Sequence, residues 1–175
     1  VSGGAGRGLT GDRDLVIGIG NPLRGDDGLG WWLARRVSRA PQAGRPAPRV
    51  RLVPQLTPEL ALEVIEARRV LLLDAWCGAG PEALPRLRRL GPGGAGEGVG
   101  GGHRLEPAAL LALAELFAAE PPPTWLLLLP AFAFPHRMAL SAEARRRLPL
   151  ARQRLRRWLA ADPRQATGMT QTADA

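Results

Sequence analysis

Two adjacent aspartates, Asp26 and Asp27, stand in "GIGNPLRGDDGLG" (residues 18–30), and a third, Asp74, ends the apolar run "VLLLD". Carboxylates in such places cap a helix, move a proton or ligate a cation. Capping accounts for one member of the pair, since a second carboxylate at the same helix start only adds repulsion. Asp74 is costly at the end of a buried strand unless something pairs with it. If the strands ending near Ile19 and Asp74 are neighbours, their ends lie about 5 Å apart. Asp27 and Asp74 then share one small volume, where either one carboxyl takes a proton or a cation sits between them. His103, one of 2 histidines, follows a long glycine tract at the mouth of the next helix. Taken alone it reads equally well as a surface or packing residue. With the two aspartates it would complete an O, O, N donor set with open positions, suited to a borderline divalent metal such as nickel or zinc.

The same glycine-rich turn invites a dinucleotide reading. Gly18, Gly20 and Gly25 follow a strand and precede a helix, but "NPLRG" breaks the spacing of the third glycine. Pro54 and Gln55 stand where an acidic ribose ligand would be needed. Other candidates are plainer: Cys77 beside "DAW" reads as a small buried hydrophobe, Ser141 as the cap of the helix it precedes, and His136 as an exposed loop residue.

The elements that must position these residues alternate. "DLVIGIG" predicts a strand, and "GLGWWLARRVSRA" a helix with Leu29, Trp32, Leu33 and Val37 along its stripe. "RVRLVPQL" predicts a second strand. In "TPELALEVIEA", Thr57 is the expected N-cap and Pro58 the first helical residue, with Leu60, Val64 and Ala67 on one face. "RRVLLLDAW" reads as a third strand buried on both faces. "ALPRLRRL", through Leu87 and Leu90, is compatible with an edge strand. "EPAALLALAELFAA" predicts a helix with a stripe of Leu110, Leu113, Ala114 and Phe117, and "TWLLLLPAFAF" a buried strand. Pro149 should divide the final helical stretch, leaving a longer piece with a stripe of Leu148, Ala151, Leu155 and Trp158. Strands alternating with helices give an α/β fold: a three-layer sandwich of phosphorylase/hydrolase-like type, its mostly parallel twisted sheet flanked by helices. Ligands of such sheets sit at the carboxyl ends of the strands.

A chain of 175 residues supports one core, expected over residues 14–161, with a flexible tail at 1–13 and a disordered one at 162–175. All 24 basic residues are Arg and the net charge is +8. The arginines lie on several amphipathic stretches as solvated faces would, and there is no recognition-helix motif, so nucleic acid is not the expected partner. An Arg-rich anion-binding module stays as the competing class. A single cysteine excludes an internal disulfide and a cysteine-built zinc site. With no signal-peptide pattern and no apolar run near the roughly 20 residues of a membrane helix, the expected location is cytoplasmic.

The segments "VIGIGNPLRGDDGLG", "QLTPELALEVIEARRVLLLDA", "GHRLEPAALLALAELF" and "LSAEARRRLPLARQRLRRWL" resemble, in unbroken order from Leu15 to Leu159, the hydrogenase maturation proteases. These are nickel-dependent endopeptidases that trim the C-terminal extension of the [NiFe] hydrogenase large subunit. The resemblance implies that Asp27, Asp74 and His103 are the metal ligands and that the nickel arrives inside the precursor. It also implies that the protein is a monomer whose partner is that precursor. Asp27 and Asp74 would be the catalytic carboxylates, with Asp74 the candidate general base, and Gly20 and Asn21 would orient the substrate backbone. A family member that binds the precursor as a chaperone without cutting it is the alternative. Relatives often carry an acidic residue and a glycine before the "LS" element, where this chain reads "FPHRMA" (residues 134–139).

Overall fold

The structure, a computed structural model, describes residues 11–37, 46–77, 80–91 and 105–161. His103, residues 1–10 of the expected N-terminal tail and the whole of the expected C-terminal tail lie outside the described residues. The chain runs through β1 (Asp14–Ile19), a 3-10 turn (Gly25–Gly28), α1 (Leu29–Ala34), β2 (Arg49–Val53), α2 (Leu60–Ile65), β3 (Arg69–Trp76), β4 (Arg86–Leu90), α3 (Pro107–Phe117), β5 (Thr124–Pro130) and α4 (Ala142–Ala160). The five strands form one sheet in the order β2-β1-β3-β5-β4. Strands β2, β1, β3 and β5 are parallel, and β4 runs antiparallel along the edge of β5. This is the expected α/β sandwich.

Period-two alternation sends side chains of β1 and β3 to two different cores. Val16, Leu71 and Leu73 pack with Leu33 of α1 and with Ala151, Leu155 and Trp158 of α4. Leu15, Ile17, Val70 and Leu72 pack with Leu60 and Val64 of α2 and with Leu110 and Ala114 of α3. Because α1 and α2 cover opposite faces, the chain reverses its direction across the sheet between β1 and β3. In sheets of this kind, ligands bind at the carboxyl ends of the strands at such a reversal point.

Several local expectations are corrected. Helix α2 begins at Leu60 and not at Pro58: Pro58 and Glu59 form a turn in which the Leu60 amide donates to the Thr57 carbonyl. Helix α1 ends at Ala34, with Val37 buried beyond it. Pro149 does not divide α4, which is continuous over 19 residues. The proline ring faces solvent, while Ala144, Ala151, Leu155 and Trp158 on either side of it are buried, so packing holds the helix through the missing amide. In α3, Phe117 is 60% exposed and Leu111 takes its place in the core. Strand β5 stops at Pro130, and the apolar run continues as a loop. Leu87 and Leu90 of β4 join opposite cores, as an odd spacing on a strand requires.

The amino-terminal edge of the sheet is locked by charge. Arg69 is fully buried, its Nη2 lies 2.7 Å from Asp14 Oδ2, and its guanidinium sits 4.0 Å above the Trp158 ring. It also donates to the carbonyls of Leu159 and Ala161, fastening the end of α4 to the sheet. Arg68 holds the other oxygen of Asp14 at 2.8 Å. These two arginines are not solvated face residues.

Candidate active site at the carboxyl edge of the sheet

The turn after β1 is built by close backbone approach. Gly20 has φ +120°, a conformation L side chains rarely adopt, and a Cβ there would stand 1.8 Å from the Asp27 carbonyl oxygen. A Cβ on Gly30 would stand 2.1 Å from the Leu73 carbonyl oxygen and 2.6 Å from that of Ile19. Glycine at these two positions lets the chain fold back on the end of β1 and lets α1 start directly against the ends of β1 and β3. Asp27 therefore lies over the end of β1, and Asp74 is the residue after Leu73 on the adjacent strand. Strands β1 and β3 are neighbours, as the sequence reading supposed, at the reversal point of the sheet.

The two aspartates of the doublet have separate work. Asp27 is buried, and its Oδ2 accepts the Asn21 N–H at 3.0 Å. Neither Asp26 nor Asp27 caps α1, which has no side-chain cap. Asp26 is fully buried and turned away: Oδ2 accepts from the amides of Phe132 (2.9 Å) and Ala133 (3.1 Å) and from the Ser141 hydroxyl (2.7 Å), and Oδ1 accepts from the Ser141 amide (2.7 Å). The same Ser141 hydroxyl oxygen accepts the Ala144 amide, so Ser141 caps α4 as expected. The doublet thus holds one residue facing the rim and one binding the chain beneath it. The sequence carried a sign of this, since one helix start has no use for two carboxylates. The receiving segment, residues 131–141, gave none.

Asp74 is half-buried, and its Oδ1 accepts the Ala75 amide at 2.8 Å. The amides of Gly20 and Asn21, expected to orient a substrate, donate instead to the Val53 carbonyl and to Asp27. Cys77 is exposed, not a buried hydrophobe, because it lies just past the end of β3. His136 is exposed, as expected. Among the described residues, no group of three or more His, Cys, Asp or Glu side chains could hold a metal ion. Two carboxylates at one rim supply oxygen donors and a base, and a third ligand would have to come from residues beyond the described ones or from a bound partner.

A second residue missed by the sequence reading is Arg147 of α4. It donates to the carbonyls of Pro81 and Ala83 in the loop after β3, and its guanidinium lies 4.7 Å above the Phe132 ring. Helix α4 thereby holds the segment that follows Asp74 as well as the one bound by Asp26.

Solved structures share this α/β fold. The chain is similar to the [NiFe] hydrogenase maturation protease HycI from Thermococcus kodakarensis KOD1, at 17% identity and TM-score 0.62, over 85% of this chain and 90% of that one. It is similar to the hydrogenase 2 maturation peptidase from a Thaumarchaeota archaeon, at 22% identity and TM-score 0.60, over 86% and 99%. It is likewise similar to the hydrogenase maturating endopeptidase HybD from E. coli, at 17% identity and TM-score 0.58, over 82% and 89%. The fold of this chain is that of the hydrogenase maturation proteases. No family model and no curated protein matches the sequence.

Proposed function

We propose that the protein is a hydrogenase maturation endopeptidase that removes the C-terminal extension of a nickel-loaded [NiFe] hydrogenase large-subunit precursor. The observation that supports this reading is the fold shared with endopeptidases of hydrogenase maturation, in which the 3-10 turn carrying Asp27 folds back on the end of β1, the neighbour of the strand β3 that carries Asp74. The nickel belongs to the substrate. Asp27, Asp74 and His103 would grip it in the precursor and so fix the neighbouring peptide bond against the rim. A bound metal polarises a carbonyl or a water. Asp74, closer to solvent than Asp27, is the candidate base for that water.

Gly20 and Asn21 serve this reaction by shaping the turn that presents Asp27. The protein would work as a cytoplasmic monomer with the precursor as its partner. Among the described residues, no helix is long and apolar enough to cross a membrane. Incubating the protein with nickel-loaded and nickel-free precursor and comparing masses tests the reading: shortening of the loaded form alone supports it. Binding without any shortening would point to the chaperone alternative.

A further inference from the structure

We infer that Asp26 is a positioning residue, coupling the turn that presents Asp27 to the segment 131–141 so that the two form one rigid wall of the rim. This rests on the reading of Asp27 as a ligand of the substrate's metal. Asp26 gathers four hydrogen bonds on one fully buried carboxylate, all from residues 106 to 115 positions away. Backbone bonds run alongside: the Asp26 amide donates to the Ala133 carbonyl at 2.9 Å and the Gly25 amide to the Arg137 carbonyl at 3.1 Å. Asp27 follows directly in the same 3-10 turn, so it cannot shift without moving its neighbour.

The chemistry explains why position 26 is acidic rather than merely polar. Three of the four donors converge on one oxygen and the fourth on the other, which only a group accepting at both ends can satisfy. An asparagine there would set its own N–H groups against amide donors in a dry site, where an unmatched polar group is costly. The wall continues through Phe132, whose amide binds Asp26 and whose ring lies under the Arg147 guanidinium. Arg147 in turn holds the loop beyond Asp74. The carriers of both rim aspartates are therefore referred to one helix, α4.

The test uses the full chain and the variants Asp26→Asn and Ser141→Ala, the second, in case the first fails to fold, removing the hydroxyl's bond to Asp26 together with its cap on the Ala144 amide. Amide hydrogen exchange is read at Phe132, Ala133 and Ser141, which Asp26 binds, and at Asn21, which binds Asp27. Coupling predicts faster exchange at all four amides in Asp26→Asn. It also predicts a fall in kcat for precursor trimming of about 10- to 100-fold, as small misplacements of reacting groups produce. KM should change far less than kcat. In Ser141→Ala the same amides move in the same direction, by less. The proposal is overturned if Phe132, Ala133 and Ser141 loosen in either folded variant while Asn21 protection and kcat stay at wild-type values, or if no amide changes at all. Should the unaltered protein trim no precursor, the protease reading fails, and exchange at Asn21 alone still decides the coupling.

Discussion

The amide of Asn21 donates to Oδ2 of Asp27 at 3.0 Å, closing a loop of seven residues in which Asn21 Oδ1 also accepts the Leu23 amide at 2.9 Å. One oxygen of the carboxylate is thereby fixed to its own turn, and Oδ1 accepts no hydrogen bond from the described residues. A side chain held at one oxygen and open at the other is oriented without being used up, which the proposed contact with a substrate's metal requires.

That geometry separates activity from stability at position 27. Asp27→Asn keeps an oxygen that can accept the Asn21 amide, so its unfolding midpoint in urea should move by no more than a loss of about 1 kcal/mol. Trimming of the precursor, read by mass, should fall below detection. Retained trimming would remove Asp27 from the site.

Arg69 carries stability far from the rim. Arg69→Met leaves Asp14 paired with Arg68 and removes the Arg69 bonds to the carbonyls of Leu159 and Ala161 at the end of α4. The expected loss in urea unfolding is about 3 kcal/mol, the low end for breaking a buried pair, because Arg68 still neutralises the carboxylate. Trimming by the folded fraction should be unchanged.

Pro149→Ala should stabilise the protein. It returns an amide to the interior of α4 at a solvent-facing position, which favours the helix by up to about 3 kcal/mol before the larger entropy of the unfolded chain is subtracted. A net gain of about 1 kcal/mol would appear as a higher Tm. A lower Tm would mean that the proline ring packs in a way its exposure does not show.

Crowding of arginines on α4 gives a salt-dependent prediction. Burial, then the nearby charges of Arg36 and Arg156, lowers the Arg152 pKa from its ordinary value. Neutralising one neighbour, Arg156→Gln, relieves repulsion at a largely solvated site, so stability should rise by no more than about 0.5 kcal/mol at low salt. The gain should shrink as salt is raised toward 1 M. The comparison is urea unfolding at the two salt concentrations.

The sheet was legible because its strands are continuous apolar runs and its helices carry apolar stripes, and both patterns are local. Asp74 is expected to end its strand, but pairing with β5 carries β3 on to Trp76, and Asp74 sits where the pairing with β1 stops. What sequence could not show was set by contacts distant along the chain. The partners of Asp26 lie more than 100 residues away, and the carbonyls gripped by Arg147 lie 64 and 66 residues away. Pro149 misled because a local rule about amides was overridden by tertiary packing. Phe117 misled because the buried face of α3 runs through Leu110, Leu111 and Ala114 and does not reach the helix's last residue. The pairing of Arg69 with Asp14 and with the end of α4 spans 55 to 92 residues, and nothing near Arg69 in sequence marks it.

The central claim is that Asp27, Asp74 and His103 act together on the metal carried by a substrate. Its most direct test is the mass of nickel-loaded precursor after incubation with the wild-type chain and with Asp27→Asn, Asp74→Asn and His103→Ala, each first shown to be folded by circular dichroism. The account predicts that the wild type shortens the precursor at its C-terminus and that all three variants leave it intact. Shortening by all three variants at the wild-type rate would contradict it.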